Sequence, residues 1–284
     1  MPAIGVVYNT SMSRPDAALA LAALCAFQTR GEARIGSVCV TGAGLDSAIF
    51  CDILSRFYAA PRNTNEALPV GLADIHPLPP DSPMVKSAVD HDPPYSHSIR
   101  KIADTAQAEA VLRNGVLYNS ETVVILSAPA TNLANTLDLL GVKDLYRERV
   151  KRLVLVDSAA LRQNPSALQK VWAEWPSPIV WCGREVGELL PFPASSIEKD
   201  FVWAPAHPLV DAYRAFRSMP YDAPTYDLAA LYFALRPDSE FFRLSEPDAQ
   251  TARRLIVDPS KRGQILEVFV EIVATKPPPQ RRKA

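Results

Sequence analysis

Short apolar runs recur along the chain at Ile4–Tyr8, Ile35–Thr41, Thr122–Ser127, Leu153–Asp157 and Ser177–Cys182. A strand with one wet face alternates apolar and polar residues, so runs without that alternation predict strands covered on both faces. Between them lie stretches of helix-forming composition, notably Pro15–Thr29, Leu45–Ala59, Ala103–Arg113 and Thr131–Leu140. Strand and helix in turn predict an α/β fold, doubly wound, with a mostly parallel sheet and flanking helices. With 284 residues, 48% of them hydrophobic, the chain can bury a substantial core and is neither fibrous nor disordered in composition.

Proline interrupts this pattern twice. Pro69, Pro77, Pro79, Pro80, Pro83, Pro93 and Pro94 exclude a long regular element from Leu68–Tyr95, which reads as a loop region. A second proline-rich passage, Pro191–Pro224, separates the last strand run from an apolar stretch at Tyr226–Leu235.

Thirty Lys and Arg against 31 Asp and Glu leave a formal charge of −1, which provides no footprint for nucleic acid or an anionic membrane. No apolar run reaches membrane-spanning length, and the N-terminus lacks a secretory pattern. Cys25, Cys39, Cys51 and Cys182 sit inside apolar runs without paired spacing, so they read as core residues of a reducing compartment. These features lead us to expect a cytoplasmic protein whose partner is a small molecule or another protein, with homo-oligomer formation left open. A nucleotide-dependent oxidoreductase is disfavoured, because no G-x-G-x-x-G follows the first strand.

Open α/β sheets bind ligands beyond the carboxyl ends of their strands. The segment there, Val6-Val7-Tyr8-Asn9-Thr10-Ser11-Met12-Ser13-Arg14-Pro15-Asp16-Ala17-Ala18-Leu19, resembles the opening of the inosine/uridine-preferring nucleoside hydrolases, in which Asp-x-Asp-x-x-x-Asp-Asp precedes an Ala/Leu-rich helix. Ile125-Leu126-Ser127-Ala128-Pro129-Ala130-Thr131-Asn132-Leu133-Ala134 is similar to that family's Gly-Pro-Leu-Thr-Asn-Leu-Ala turn. Tyr226-Asp227-Leu228-Ala229-Ala230 resembles its late His-Asp-x-x-Ala segment. The three occur in family order and imply one nucleoside hydrolase-like domain over residues 1–275, followed by a disordered tail at 276–284.

The resemblance implies N-glycosidic hydrolysis of ribonucleosides. The family's aspartate cluster holds Ca²⁺, which positions water, and one aspartate takes a proton as that water attacks the ribose. Carried across, the cluster falls on Asn9, Ser11, Pro15 and Asp16, of which only Asp16 is a carboxylate. Asp227 matches a late calcium ligand and Thr131 the residue whose carbonyl completes the shell, so the metal candidates are Asp16, Thr131 and Asp227. Asn9, Asn132 and Asp227 stand as substrate contacts, and Ser11, Asp16, Asp157 and Tyr226 as the catalytic candidates. The family's ribose-binding Gly-Asn is Gly42-Ala43 here, and its Ala-Glu-Phe-Asn stretch is missing.

Calcium affinity scales with the number of charged oxygens, so a weak or absent ion is expected. Serine is a poor proton acceptor, and Tyr226 is a weaker acid than histidine. The reading therefore stands between a divergent hydrolase, with Asp16, Asp157 and Asp227 around a metal, and a non-catalytic nucleoside-binding, sugar-binding or interaction protein. Structural alternatives remain for each carboxylate: Asp157 as a helix cap or turn residue, Asp16 as a first-turn acid, and Asp227 as a helix start. Thr131 could likewise cap the helix after it. His76, His91, His97 and His207 lie in proline-rich loops without metal spacing.

Overall fold

The computed structural model describes residues 3–58, 68–73, 78–91, 94–248 and 252–277. His76 and most of the expected tail lie outside these. Among the described residues, nine strands form one sheet: β1 Ile4–Thr10, β2 Ala33–Val40, β3 Val70–Leu72, β4 Ala106–Gln107, β5 Thr122–Leu126, β6 Val150–Val156, β7 Ile179–Cys182, β8 Phe242–Leu244 and β9 Arg253–Val257. Their order is β4-β3-β2-β1-β5-β6-β7-β9-β8, with every pairing parallel except β8 with β9.

Among the described residues twelve α-helices connect and cover the strands: α1 Pro15–Thr29, α2 Leu45–Tyr58, α3 Pro83–Val89, α4 Ala108–Leu117, α5 Thr131–Thr136, α6 Val142–Arg149, α7 Pro165–Glu174, α8 Arg184–Leu189, α9 Ala194–Lys199, α10 Pro208–Phe216, α11 Tyr226–Leu235 and α12 Arg262–Val273. The core divides at the sheet. On one face Val6, Tyr8, Val154 and Val156 pack with α1, α2, α10, α11 and α12; on the other Val7, Cys39, Leu126 and Leu155 pack with α4 to α7. The α/β reading is correct, and it follows from apolar runs that need cover on both sides.

Helix α1 lies deepest. Every residue from Pro15 to Phe27 is buried, so this helix is apolar all round rather than amphipathic. Pro15 takes the first helical position, where its missing N–H costs nothing. Helix α11 is of the same kind, buried from Tyr226 to Ala234.

Several boundaries differ from expectation. The helix expected from Ala103 begins at Ala108, because Ile102–Asp104 forms a 3-10 turn and Ala106–Gln107 joins the sheet beside β3. The helix from Thr131 ends at Thr136, where the chain tightens into three-residue turns up to Gly141, whose φ is +73°. The first proline-rich region carries two short elements, β3 and α3, the latter capped by Ser82 with Pro83 at its first position. Cys182 does not end the last strand, since β8 and β9 extend the sheet beyond β7.

Helix α4 approaches the sheet closely through glycine. A Cβ on Gly115 would lie 2.5 Å from Ser37 Oγ and 2.8 Å from Val7 Cγ2, closer than packed atoms allow. Gly115→Ala is therefore expected to cost about 1–3 kcal/mol through overpacking, measured by denaturant unfolding. Unchanged stability would contradict the close docking of α4.

Candidate functional site

Strands β1 and β5 are neighbours, yet the chain leaves β1 toward β2 and leaves β5 toward β6. In folds of this kind ligands bind at such a reversal, outside the carboxyl ends of the strands. The two ends are joined by Ser127 N–H donating to Asn9 O at 2.9 Å. Because successive side chains on a strand point to opposite faces, Tyr8 and Asn9 build two separate networks there.

On the α1 face, the Tyr8 hydroxyl donates to Asp227 Oδ2, and Ser127 Oγ donates to the same oxygen at 2.6 Å. Asp227 N–H in turn donates to Asp16 Oδ2 at 2.6 Å, and Leu228 N–H to Asp16 Oδ1 at 3.3 Å. Asp16 of α1 thus caps α11, the role a side chain of the preceding residue usually fills. Both carboxyls are buried. Burial raises the pKa of Asp16 well above the usual carboxylate range, and the Asp227 charge adds to it. Asp227 is raised as well, again by burial, although the hydroxyls of Ser127 and Tyr8 oppose the shift.

On the other face, Thr41 Oγ1 donates to Asn9 Oδ1 at 3.0 Å and accepts from Asn132 Nδ2 at 2.7 Å. With its Oδ1 accepting the Thr41 proton, the Asn9 amide directs its nitrogen away from Thr41. That nitrogen, Asn9 Nδ2, is buried and has no hydrogen-bond partner.

The chain then turns sharply. Met12 sits at φ +47°, a left-handed conformation costly for a residue with a side chain, and its N–H donates to Thr10 Oγ1 at 3.0 Å. The Met12 side chain is fully buried, whereas Ser11 Oγ lies 2.8 Å from Ser13 Oγ. Arg14, half-buried, places its guanidinium 4.6 Å from the centre of the Tyr226 ring. Its charge acts to lower the pKa values of Asp16, Asp227 and Tyr226, but for all three burial prevails.

The structure brings Asp16, Asp227, Tyr226, Asn9 and Asn132 to one end of the sheet. Asp157 stands at the end of β6 but is paired with Arg162 at 2.7 Å, and Ser158 rather than Asp157 receives the turn N–H of Leu161. Thr131 begins α5 without capping it, and its hydroxyl accepts from Asn164 at 3.0 Å. His207 is boxed by Phe57, Tyr58, Phe201 and Trp203, and burial pushes its pKa down to about 3. Sequence reasoning missed Tyr8, Ser127, Thr41 and Arg14. Tyr8 and Arg14 lie within the matched opening segment, and the alternation of β1 could have flagged Tyr8 as facing the opposite side from Asn9.

Two clefts lie away from the carboxylates. One of about 830 Å³ opens at the amino ends of β6 and β7, between Arg152, Phe233 and Arg253. The other, of about 550 Å³, lies beside α7.

Solved structures with a similar fold include nucleoside hydrolases and a type III effector. An inosine-uridine preferring nucleoside hydrolase from Bacillus anthracis superposes over 95% of this chain and 99% of its own, with TM-score 0.68 and 13% identity. The chain has the nucleoside hydrolase fold. A purine-preferring ribonucleoside hydrolase from Gardnerella vaginalis matches over 95% and 98% at TM-score 0.68 and 14% identity. The type III effector XopQ, solved with adenosine diphosphate ribose, matches over 96% and 93% at TM-score 0.62 and 14% identity. No family model and no curated protein matches the sequence.

Calcium takes about six to eight oxygens, several of them charged, whereas the carboxylates that the sequence resemblance pairs with calcium ligands, Asp16 and Asp227, are engaged within the fold. Asp227 Oδ2 already accepts two hydroxyls, and both Asp16 oxygens accept backbone N–H groups. Asn9 has its buried Nδ2, a donor, without a partner, and the nearby fixed charge is the Arg14 guanidinium. Among the described residues no group of three or more His, Cys, Asp or Glu is placed to hold a metal.

An acid with a raised folded-state pKa adds stability that is full below the ordinary carboxylate range and drains away as pH rises through the raised value. Wild-type thermal stability should therefore fall as pH rises above the ordinary carboxylate range, through the buried pair. Asp16→Asn, which keeps an acceptor for Asp227 N–H but cannot ionise, should flatten that decline in thermal melts. An equal decline in both proteins would contradict the raised pKa.

Proposed function

We propose that this protein binds a nucleoside or related ribosyl compound at the crevice of its nucleoside hydrolase fold without hydrolysing it. The observation that carries this reading is the commitment of Asp16 and Asp227 to hydrogen bonds inside the fold. Hydrolysis needs a base for water and charge to stabilise the oxocarbenium-like sugar. Ser11, at the matched base position, has Ser13 as its side-chain partner and gains no proton acceptor from it. Tyr226, at the position matched to the leaving-group acid, has its pKa raised by burial and so holds its proton more firmly.

The choice of ligand rests on the neighbours of the fold, two of which are hydrolases of ribonucleosides and a third a protein solved with ADP-ribose. Ribose is common to all of these. Asn132 and the unpartnered Asn9 amide are the polar groups we assign to the ribosyl ligand. The alternative, a divergent hydrolase with Asp16, Asp157 and Asp227 around a metal, is opposed by the pairing of Asp157 with Arg162. Among the described residues no helix is long and apolar enough to cross a membrane. Four buried free cysteines fit a reducing compartment, and we place the protein in the cytoplasm.

Calorimetric titration with inosine and with uridine, alongside a turnover assay, tests this proposal. Binding that is unchanged by EDTA, with turnover at least about a hundredfold below the ~1–10³ s⁻¹ of ordinary enzymes, is expected. Turnover within that range would overturn the non-hydrolytic reading. Absence of binding by inosine, uridine and ADP-ribose alike would overturn the ribosyl reading.

A further inference from the structure

The cleft of about 550 Å³ beside α7 combines an aromatic wall with two guanidinium groups. Trp172 on α7 and Trp181 on β7 pack with ring centres 5.8 Å apart and planes 31° apart, and both are half-buried. Arg254 is the register partner of Trp181 on the neighbouring parallel strand β9, which puts both side chains on the same face of the sheet. Arg162 closes the other side, with one terminal nitrogen held by Asp157 at 2.7 Å.

One charge in the cleft has no partner among the described residues. Asp248 is its one acid, and Asp248 Oδ1 already accepts Ala252 N–H at 3.0 Å. The exposed Arg254 guanidinium has no hydrogen bond or ion pair with the described residues. A planar guanidinium without a partner suits a phosphate, which it can bind through two parallel N–H groups. An indole wall suits a flat base, and the volume lies within the ~300–1,000 Å³ usual for small-molecule sites.

We propose that this cleft is a nucleotide site, taking the base against Trp172 and Trp181 and the phosphate between Arg254 and Arg162. It is separate from the carboxylate pair and does not depend on the ribosyl reading above. Arg162 links the two places, because it lines the cleft and also holds Asp157 at the end of β6.

Two of the four tryptophans line the cleft, so intrinsic fluorescence reports its occupancy. Titration with adenosine 5′-monophosphate should quench emission saturably with Kd below about 1 mM. Adenosine alone and inorganic phosphate alone should each bind at least about tenfold more weakly. Arg254→Ala, an exposed change, should weaken the nucleotide at least about tenfold with an unaltered melting temperature. Trp172→Leu, followed by calorimetry, should do the same. The proposal is overturned by absence of saturable quenching, by equal affinity for phosphate alone, or by an Arg254→Ala protein that binds the nucleotide as the wild type does. Loss of binding in Tyr226→Phe but not in Arg254→Ala would place the nucleotide at the carboxylate crevice and would also overturn it.

Discussion

The carboxylate of Asp16 holds together the two helices on which the rest of the molecule packs. Helices α1 and α11 have no wet face, so the N–H groups at the start of α11 cannot turn to solvent. A buried donor left unpaired costs about 1–3 kcal/mol, and two such groups, on Asp227 and Leu228, end on Asp16. The same contact sets Asp227 against Tyr8 and Ser127, the residues that anchor β1 and β5 to it. Structural and metal-binding use compete at Asp227 Oδ2, whose two acceptor sites already take the Tyr8 and Ser127 hydroxyls.

The residues around the buried pair fit its structural role. Pro15 starts α1, and Met12 fills the interior of the turn. Arg14 brings positive charge over Tyr226, and Asn9 adds a buried amide donor without a partner. Gly187 completes the fit: a Cβ there would lie 2.8 Å from Tyr226 N, so α8 abuts the start of α11 closely. The outcome is a sheet end whose acids are turned inward.

How much of this could be read from sequence depended on the range of the cause. The β1 strand and helix α1 were legible because apolar runs and a proline at the first helical position are local signals. The convergence of Asp16 with Asp227 was legible through motif order. The partners of those acids were not, since the hydroxyls of Tyr8 and Ser127 reach Asp227 across 219 and 100 residues and resemble ordinary strand residues. Strand β4, two residues long, owes its place to pairing with β3 rather than to its composition. Asp157 was ambiguous for a related reason, because its partner Arg162 is set by the turn that Ser158 builds.

Terbium luminescence measures most directly whether the carboxylates are available to a cation. Tb³⁺ mimics calcium and is excited through nearby tyrosine, and the Tyr8 hydroxyl donates directly to Asp227. Emission should be weak, without saturation at micromolar ion, and the same in wild type and Asp227→Asn. Saturable emission at micromolar ion that disappears in Asp227→Asn would contradict the account, because it would mean that Asp227 exchanges Tyr8 and Ser127 for a metal.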